Sequence, residues 1–184
     1  IAATPTTPPH AEATAWTLIN TADVVVRENG KTEWHCHKAV KVLKTDGKEF
    51  GMMAETVWPQ REVSNLKGWL VRPDGKVSEL DPKHIARVSP PQAGGFYDDV
   101  MILMALFPTI PVGSVVGYEY DVSERAEWSG SYIGMTFQLQ QPVVEARLNV
   151  RLPDGWTLNG KLINCDSCTS FQQGNLYSWV ASNL

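Results

Sequence analysis

An all-β domain of two packed antiparallel sheets, a β-sandwich, is the fold this sequence predicts, and three observations carry the prediction. Apolar, β-prone runs of five to ten residues recur along the chain, separated by Gly, Pro, Asn and Asp. Two of those runs alternate cleanly. Val144, Ala146, Leu148, Val150 and Leu152 interleave with Glu145, Arg147, Asn149 and Arg151, and Val116, Tyr118, Tyr120 and Val122 interleave with Gly117, Glu119 and Asp121. A shift of one residue in either would bury charges and expose the apolar set, so register is strongly specified. Finally, no segment of 12 or more residues carries a convincing 3.6-residue period, and no internal repeat is present.

Taken in order, residues 1–14 are rich in Thr, Pro and Ala and read as an arm or linker, with Pro5, Pro8 and Pro9 disfavouring helix and central strand alike. Residues 15–184 then form a single sandwich domain. Val24-Val25-Val26-Arg27 leads into Glu28-Asn29-Gly30-Lys31, where Asn-Gly suits a tight two-residue hairpin turn. Asp46-Gly47 is expected to turn the chain after the strand 39–43 in the same way. Arg72-Pro73-Asp74-Gly75 is a further turn. Residues 100–107 are apolar without alternation, which fits a central strand covered on both faces or a short buried helix; neighbouring strands favour the strand. Residues 169–175 read as a polar loop containing Gly174.

At 184 residues and 43% hydrophobic, the chain can bury a core of its own. A net charge of -4 from mixed signs supplies no clustered Lys and Arg, so neither nucleic acid nor an anionic membrane is an expected partner. No apolar run approaches the roughly 20 residues of a membrane span, so no direct insertion is expected. The chain begins at Ile1 without a basic stretch followed by an apolar one, and an export signal is expected to lie outside it.

Four sets of residues could carry chemistry or recognition. Glu33, His35 and His37 fall on one strand face at i, i+2, i+4, where two imidazoles can share a divalent metal and Glu33 could add an oxygen ligand, with His84 joining from elsewhere. The competing reading is a solvent-facing polar stripe. Cys36 lies between the two histidines and should point to the opposite face, with Trp34, Val40 and Val42, which opposes a Cys-His pair. Cys165-Asp166-Ser167-Cys168 admits a redox pair, half a zinc site or a local disulfide clipping a hairpin tip; the disulfide is favoured if the protein is exported. Of seven tryptophans, most, including Trp69 and Trp179, are expected in the core. Trp128 instead sits in a loop-like stretch with Tyr132, and with Phe96 and Tyr97 in the Gly94-Gly95 loop it is the candidate binding surface. No cofactor is implied.

The ordered motifs resemble one family. Asp46-Gly47, the tryptophan-containing strand running into Arg72-Pro73-Asp74-Gly75-Lys76-Val77, and Glu79-Leu80 are similar to its first half. Tyr97-Asp98-Asp99, Phe107-Pro108, Val112-Gly113-Ser114-Val115-Val116 with Tyr118-Glu119-Tyr120, the stretch 137–142 and Tyr177-Ser178-Trp179 are similar to its second. It is the bacterial domain of unknown function 3857, and the resemblance spans about residues 13–184. It implies a β-sandwich similar to the N-terminal domains of some zinc aminopeptidases, placed ahead of a transglutaminase-like, papain-like cysteine domain in exported or membrane-attached proteins. It supplies no catalytic residues. The expected function is therefore a non-catalytic accessory or interaction domain, periplasmic or in the cell envelope, which positions the following domain or recognises a polypeptide or glycan. A stand-alone carbohydrate- or cell-wall-binding module is the alternative, and a metal- or cysteine-dependent hydrolase a more distant one.

Overall fold

The computed structural model describes residues 11–90, 99–125 and 133–184. Eleven strands occur among them: β1 (Ala15–Val26), β2 (Thr32–Val42), β3 (Met53–Val57), β4 (Arg61–Val71), β5 (Val77–Glu79), β6 (Ile85–Val88), β7 (Met101–Ala105), β8 (Val115–Glu124), β9 (Val143–Arg151), β10 (Thr169–Gln173) and β11 (Leu176–Ser182). Eight form a large sheet in the order β10-β11-β9-β1-β2-β8-β4-β5, and three form a small sheet in the order β3-β7-β6. All pairs are antiparallel except β1 and β9, which run parallel at the centre of the large sheet. The two-sheet, all-β expectation is met. Residues 100–107 supply β7, the central strand of the small sheet, with Leu103 and Ala105 buried.

Alternation decides which face is core. Val116, Tyr118, Tyr120 and Val122 of β8 point inward, as do Ala146, Leu148 and Val150 of β9, all buried. The inner face carries two apolar clusters. One joins Leu70, Val116, Tyr118 and Val122 of the large sheet to Met53, Val57, Leu103 and Ala105 of the small one. Its polar tie is the Tyr118 hydroxyl, whose single proton is shared between the carbonyls of Gly51 and Ala105 at 3.0 and 3.1 Å. The other packs Val24, Leu148, Val150 and Ala181 beneath irregular chain contributing Phe137, Leu139, Leu158 and Leu162.

The turns refine the sequence reading. Arg27 N–H donates to Lys31 O and Gly30 adopts φ +78, so the first hairpin has a three-residue loop with its glycine in the left-handed region, not the two-residue turn expected. Residues 72–76 repeat that arrangement with Gly75. Asp46-Gly47 makes no hairpin turn: it lies in a 3-10 helix, Thr45–Gly51. Glycine is required at 47 for a different reason, since any Cβ there would collide with the backbone carbonyl of Thr14. Residues 169–173 are a strand and not a loop; pairing with β11 imposes extended geometry on a run with no apolar alternation. The tryptophans are also less buried than expected. Trp16 is in the core, Trp34, Trp58, Trp69 and Trp179 are half-buried, and Trp156 is exposed.

Candidate functional site

The outer face of the large sheet carries the histidines. His35 and His37 sit two apart on β2, and their rings meet edge to face with centroids 4.5 Å apart. His35 Nδ1 lies 2.7 Å from Asp121 Oδ1 on β8, and the other oxygen of Asp121 accepts from Asn65 Nδ2 at 2.6 Å. Asn65 reaches it from a bulge in β4, where its own φ is +51. The Asn65 amide, and secondly His35, hold the Asp121 carboxyl below its usual range. Towards the opposite edge, Ser178 donates to Asn149 at 2.6 Å and Asn149 to Asp23 at 2.7 Å, and Asp23 stands opposite His35 in register. The result is a band of polar side chains across six adjacent strands.

Glu33 is at the same face but serves other partners. It accepts from Arg27 Nε at 2.9 Å and Lys31 Nζ at 3.1 Å, and Arg27, then Lys31, lower its pKa. His84 ends the 3-10 turn before β6 in the small sheet, across the large sheet from His35. Among the described residues no three His, Cys, Asp or Glu side chains gather where a metal ion could be held.

The inner face opens between the two apolar clusters into a cleft of about 380 Å³, lined by Trp34, Cys36, Glu55, Arg61, Tyr120 and Glu124 among others. Cys36 faces inward, opposite Ala22 of β1 and Tyr120 of β8, on the side away from both imidazoles. Burial pushes its thiol up to about 12, with the nearby Glu55 carboxylate adding to the shift. A nucleophilic thiol needs the reverse, a depressed pKa beside a cation or helix N-terminus. Arg61 organises the remainder. Its Nη2 donates to Glu55 at 2.8 Å, its Nη1 to Glu124 at 3.0 Å and its Nε to the Thr56 carbonyl at 2.9 Å, while the guanidinium lies over the Trp58 ring at 5.4 Å. Tyr120 donates to the second oxygen of Glu55 at 2.7 Å, and burial, then Glu55, raises its pKa. Lys38, next inward on β2, is lowered by burial. Every acid in this network is paired, which makes it a bridge between β3, β4 and β8 before anything else.

That network escaped the sequence reading although a signal for it existed. Glu55 is in phase with buried Met53 and Val57, Glu124 with Tyr120 and Val122, Arg61 with Val63, and Lys38 with Val40 and Val42. A charge in the inward register of a strand is unusual and demands a partner. Of the other candidates, Cys165 and Cys168 are joined in a disulfide immediately ahead of β10, not at a hairpin tip, and both pack against the second cluster. Trp128, Tyr132, Phe96 and Tyr97 lie outside the described residues.

Comparison with known proteins adds the family. A family model described as a domain of unknown function with solved structure, DUF3857, matches residues 28–184. The chain belongs to this DUF3857 family. The match leaves out β1, yet β1 lies between β9 and β2 and joins the two halves of the large sheet, so the folding unit of this family member starts upstream of the matched region. No curated protein matches the chain. Among solved structures, a protein of Parabacteroides distasonis ATCC 8503 provisionally assigned as a protease aligns with a TM-score of 0.74 at 12% identity, over 93% of this chain and 36% of that one. A two-domain M1 zinc metallopeptidase mutant bound to L-tryptophan aligns at a TM-score of 0.41 and 8% identity, over 92% and 39%. An M1 zinc metallopeptidase mutant from Deinococcus radiodurans aligns at 0.38 and 10%, over 92% and 39%. This DUF3857 domain thus spans little more than a third of the length of each.

Proposed function

We propose that this DUF3857 domain is a non-catalytic accessory module that positions an adjoining catalytic domain of the transglutaminase-like, papain-like cysteine class and engages its polypeptide or glycan substrate. The observation that carries the reading is the alignment of nearly the whole chain with about a third of a longer protein provisionally assigned as a protease. A unit of that kind is a component of a larger protein, and the rest of such a protein has room for a separate catalytic domain. The chemistry of the chain is in keeping with this. Its free thiol, Cys36, is half-buried and protonated at neutral pH, and the two neighbouring imidazoles stand on the opposite side of the sheet. An extracytoplasmic location belongs to the same proposal, supported by the Cys165–Cys168 disulfide, a bond that oxidising compartments preserve.

The test pairs the isolated chain with the domain encoded downstream. The expected outcome is no hydrolysis or transamidation of a casein substrate by the chain alone, together with micromolar binding to the separately produced downstream domain by calorimetry. Turnover by the isolated chain that disappears in Cys36→Ala would overturn the proposal. So would a downstream domain that neither binds this chain nor changes its KM when the two are joined.

A further inference from the structure

Among the described residues the two sheets have four edges, and three of them carry guards. An edge strand presents unpaired N–H and C=O groups, and proteins guard it with charge, proline, bulges or shortness. On the large sheet β5 is three residues long and ends in Glu79, next to Lys76; on the small sheet β3 has Glu55 at its centre and β6 contains Arg87. The fourth edge, β10, has none of these guards. All five of its residues are exposed, none is ionisable, and no charged residue occurs from Ser167 to the last residue, Leu184.

The strand is nevertheless held in an extended form. It pairs along its whole length with β11, its entry is clipped by the Cys165–Cys168 disulfide, and its exit turns at Gly174, φ +59. There the Asn175 side chain donates to the Leu152 carbonyl at 2.7 Å. A preformed edge loses little conformational freedom when another strand joins it.

We propose that the free edge of β10 pairs with β10 of a second copy of this chain, antiparallel about a two-fold axis through Phe171. A two-fold operation on a sheet edge produces an antiparallel pair in which each strand meets itself reversed. Phe171 is the central residue of β10 and 55% exposed, so it faces Phe171 of the partner subunit, a cross-strand aromatic pair. Thr169 then stands opposite Gln173 of the partner subunit, and Ser170 opposite Gln172 of the partner subunit. No like charges meet. The segment leading into β10 also leaves Trp156 and Ile163 exposed, at 46% and 73%, giving this end of the molecule apolar surface beyond the strand itself. The union of two eight-stranded sheets along five residues is a small interface, so association is weak and appears at protein concentrations on the order of 100 µM.

Sedimentation velocity over a dilution series tests this on the 184-residue chain. The mean mass should climb from monomer towards dimer on concentration, and Phe171→Lys, which sets two ammonium groups face to face, should remain monomeric with unchanged thermal unfolding. Register is read separately. Under mild oxidation Phe171→Cys should yield a covalent dimer on a non-reducing gel, whereas Val77→Cys, at the opposite edge, should not. A wild-type chain that stays monomeric at millimolar concentration overturns the proposal, as does undiminished association of Phe171→Lys. Equal cross-linking of the two cysteine variants overturns it as well.

Discussion

The two ends of the large sheet are closed by different means. Beneath β2, β8 and β4 the inner face meets another sheet, so its apolar cluster lies between two hydrogen-bonded layers. Beneath β1, β9 and β11 it meets irregular chain, residues 133–142 and 152–168, held by apolar contacts and the Cys165–Cys168 clip. A sheet layer resists local collapse because each strand is tied to its neighbours, whereas a loop can settle into a void.

The sharpest test of that difference is a pair of core truncations. Leu70→Ala, in the sheet-on-sheet half, should cost about 4 kcal/mol, near the upper part of the range for leucine in a core, and Leu148→Ala, under the loops, about 2 kcal/mol. Urea unfolding measures both; equal losses would mean that the loop layer is as unyielding as the small sheet. Next in size is the bridge between the clusters. Arg61→Ala strands Glu55 and Glu124, whose side chains are 23% and 31% exposed, and should cost about 3 kcal/mol, whereas Tyr120→Phe, which removes one hydrogen bond to Glu55, should cost about 1 kcal/mol. If Arg61→Ala proves neutral, the network is not what joins the small sheet to β4 and β8.

The loop end has its own, smaller test. Replacing Cys165 and Cys168 by serine releases a loop closed over a separation of only three residues, so chain entropy sets the loss at no more than about 2 kcal/mol. Hydrogen exchange should rise in β10 and at 152–168 and stay unchanged in β7 and β8; a uniform rise would contradict the division into two ends. The least effect is a pH slope. The folded Cys36 thiol, at about 12, holds its proton above the unfolded value of 9.0, so its contribution is complete below pH 9 and falls as pH rises towards 12. Each such group contributes at most about 1.4 kcal/mol per pH unit. Tyr118 and Tyr120 are raised by burial and act in the same direction above their unfolded value of 10.0. Cys36→Ala should flatten the decline between pH 9 and 10, and an unaltered slope would show that the thiol is not the titrating group.

Legibility in the sequence followed the strength of alternation. β8, and β9 from Ala146 onward, show in sequence the faces they bury, as does the opposed placement of Cys36 and its flanking histidines, whereas at the start of β9 it is Val143 and not Val144 that is buried. β10 reads as a loop because Thr169-Ser170-Phe171-Gln172-Gln173 has no inward apolar set, and only hydrogen bonding to β11 makes it a strand. Asp46-Gly47 looked like a hairpin turn; its glycine answers instead to the approach of Thr14, 33 positions earlier in the chain. The Glu55, Arg61, Glu124 and Tyr120 network went unread because its members come from three strands, although each charge stood in the inward phase of its own strand.

Local pattern alone determined that this chain is all-β, which faces of its alternating strands are buried, and where several of its turns fall, because side chains on a strand change sides at every residue. Tertiary structure decided the rest: that β1 runs parallel to β9 within the large sheet, that one end is closed by a sheet and the other by loops, and that Glu55 and Arg61 meet Tyr120 and Glu124 from a distant part of the chain in one cleft. Those outcomes depend on which strands lie side by side, and strand pairing is a long-range choice that short-range periodicity does not encode.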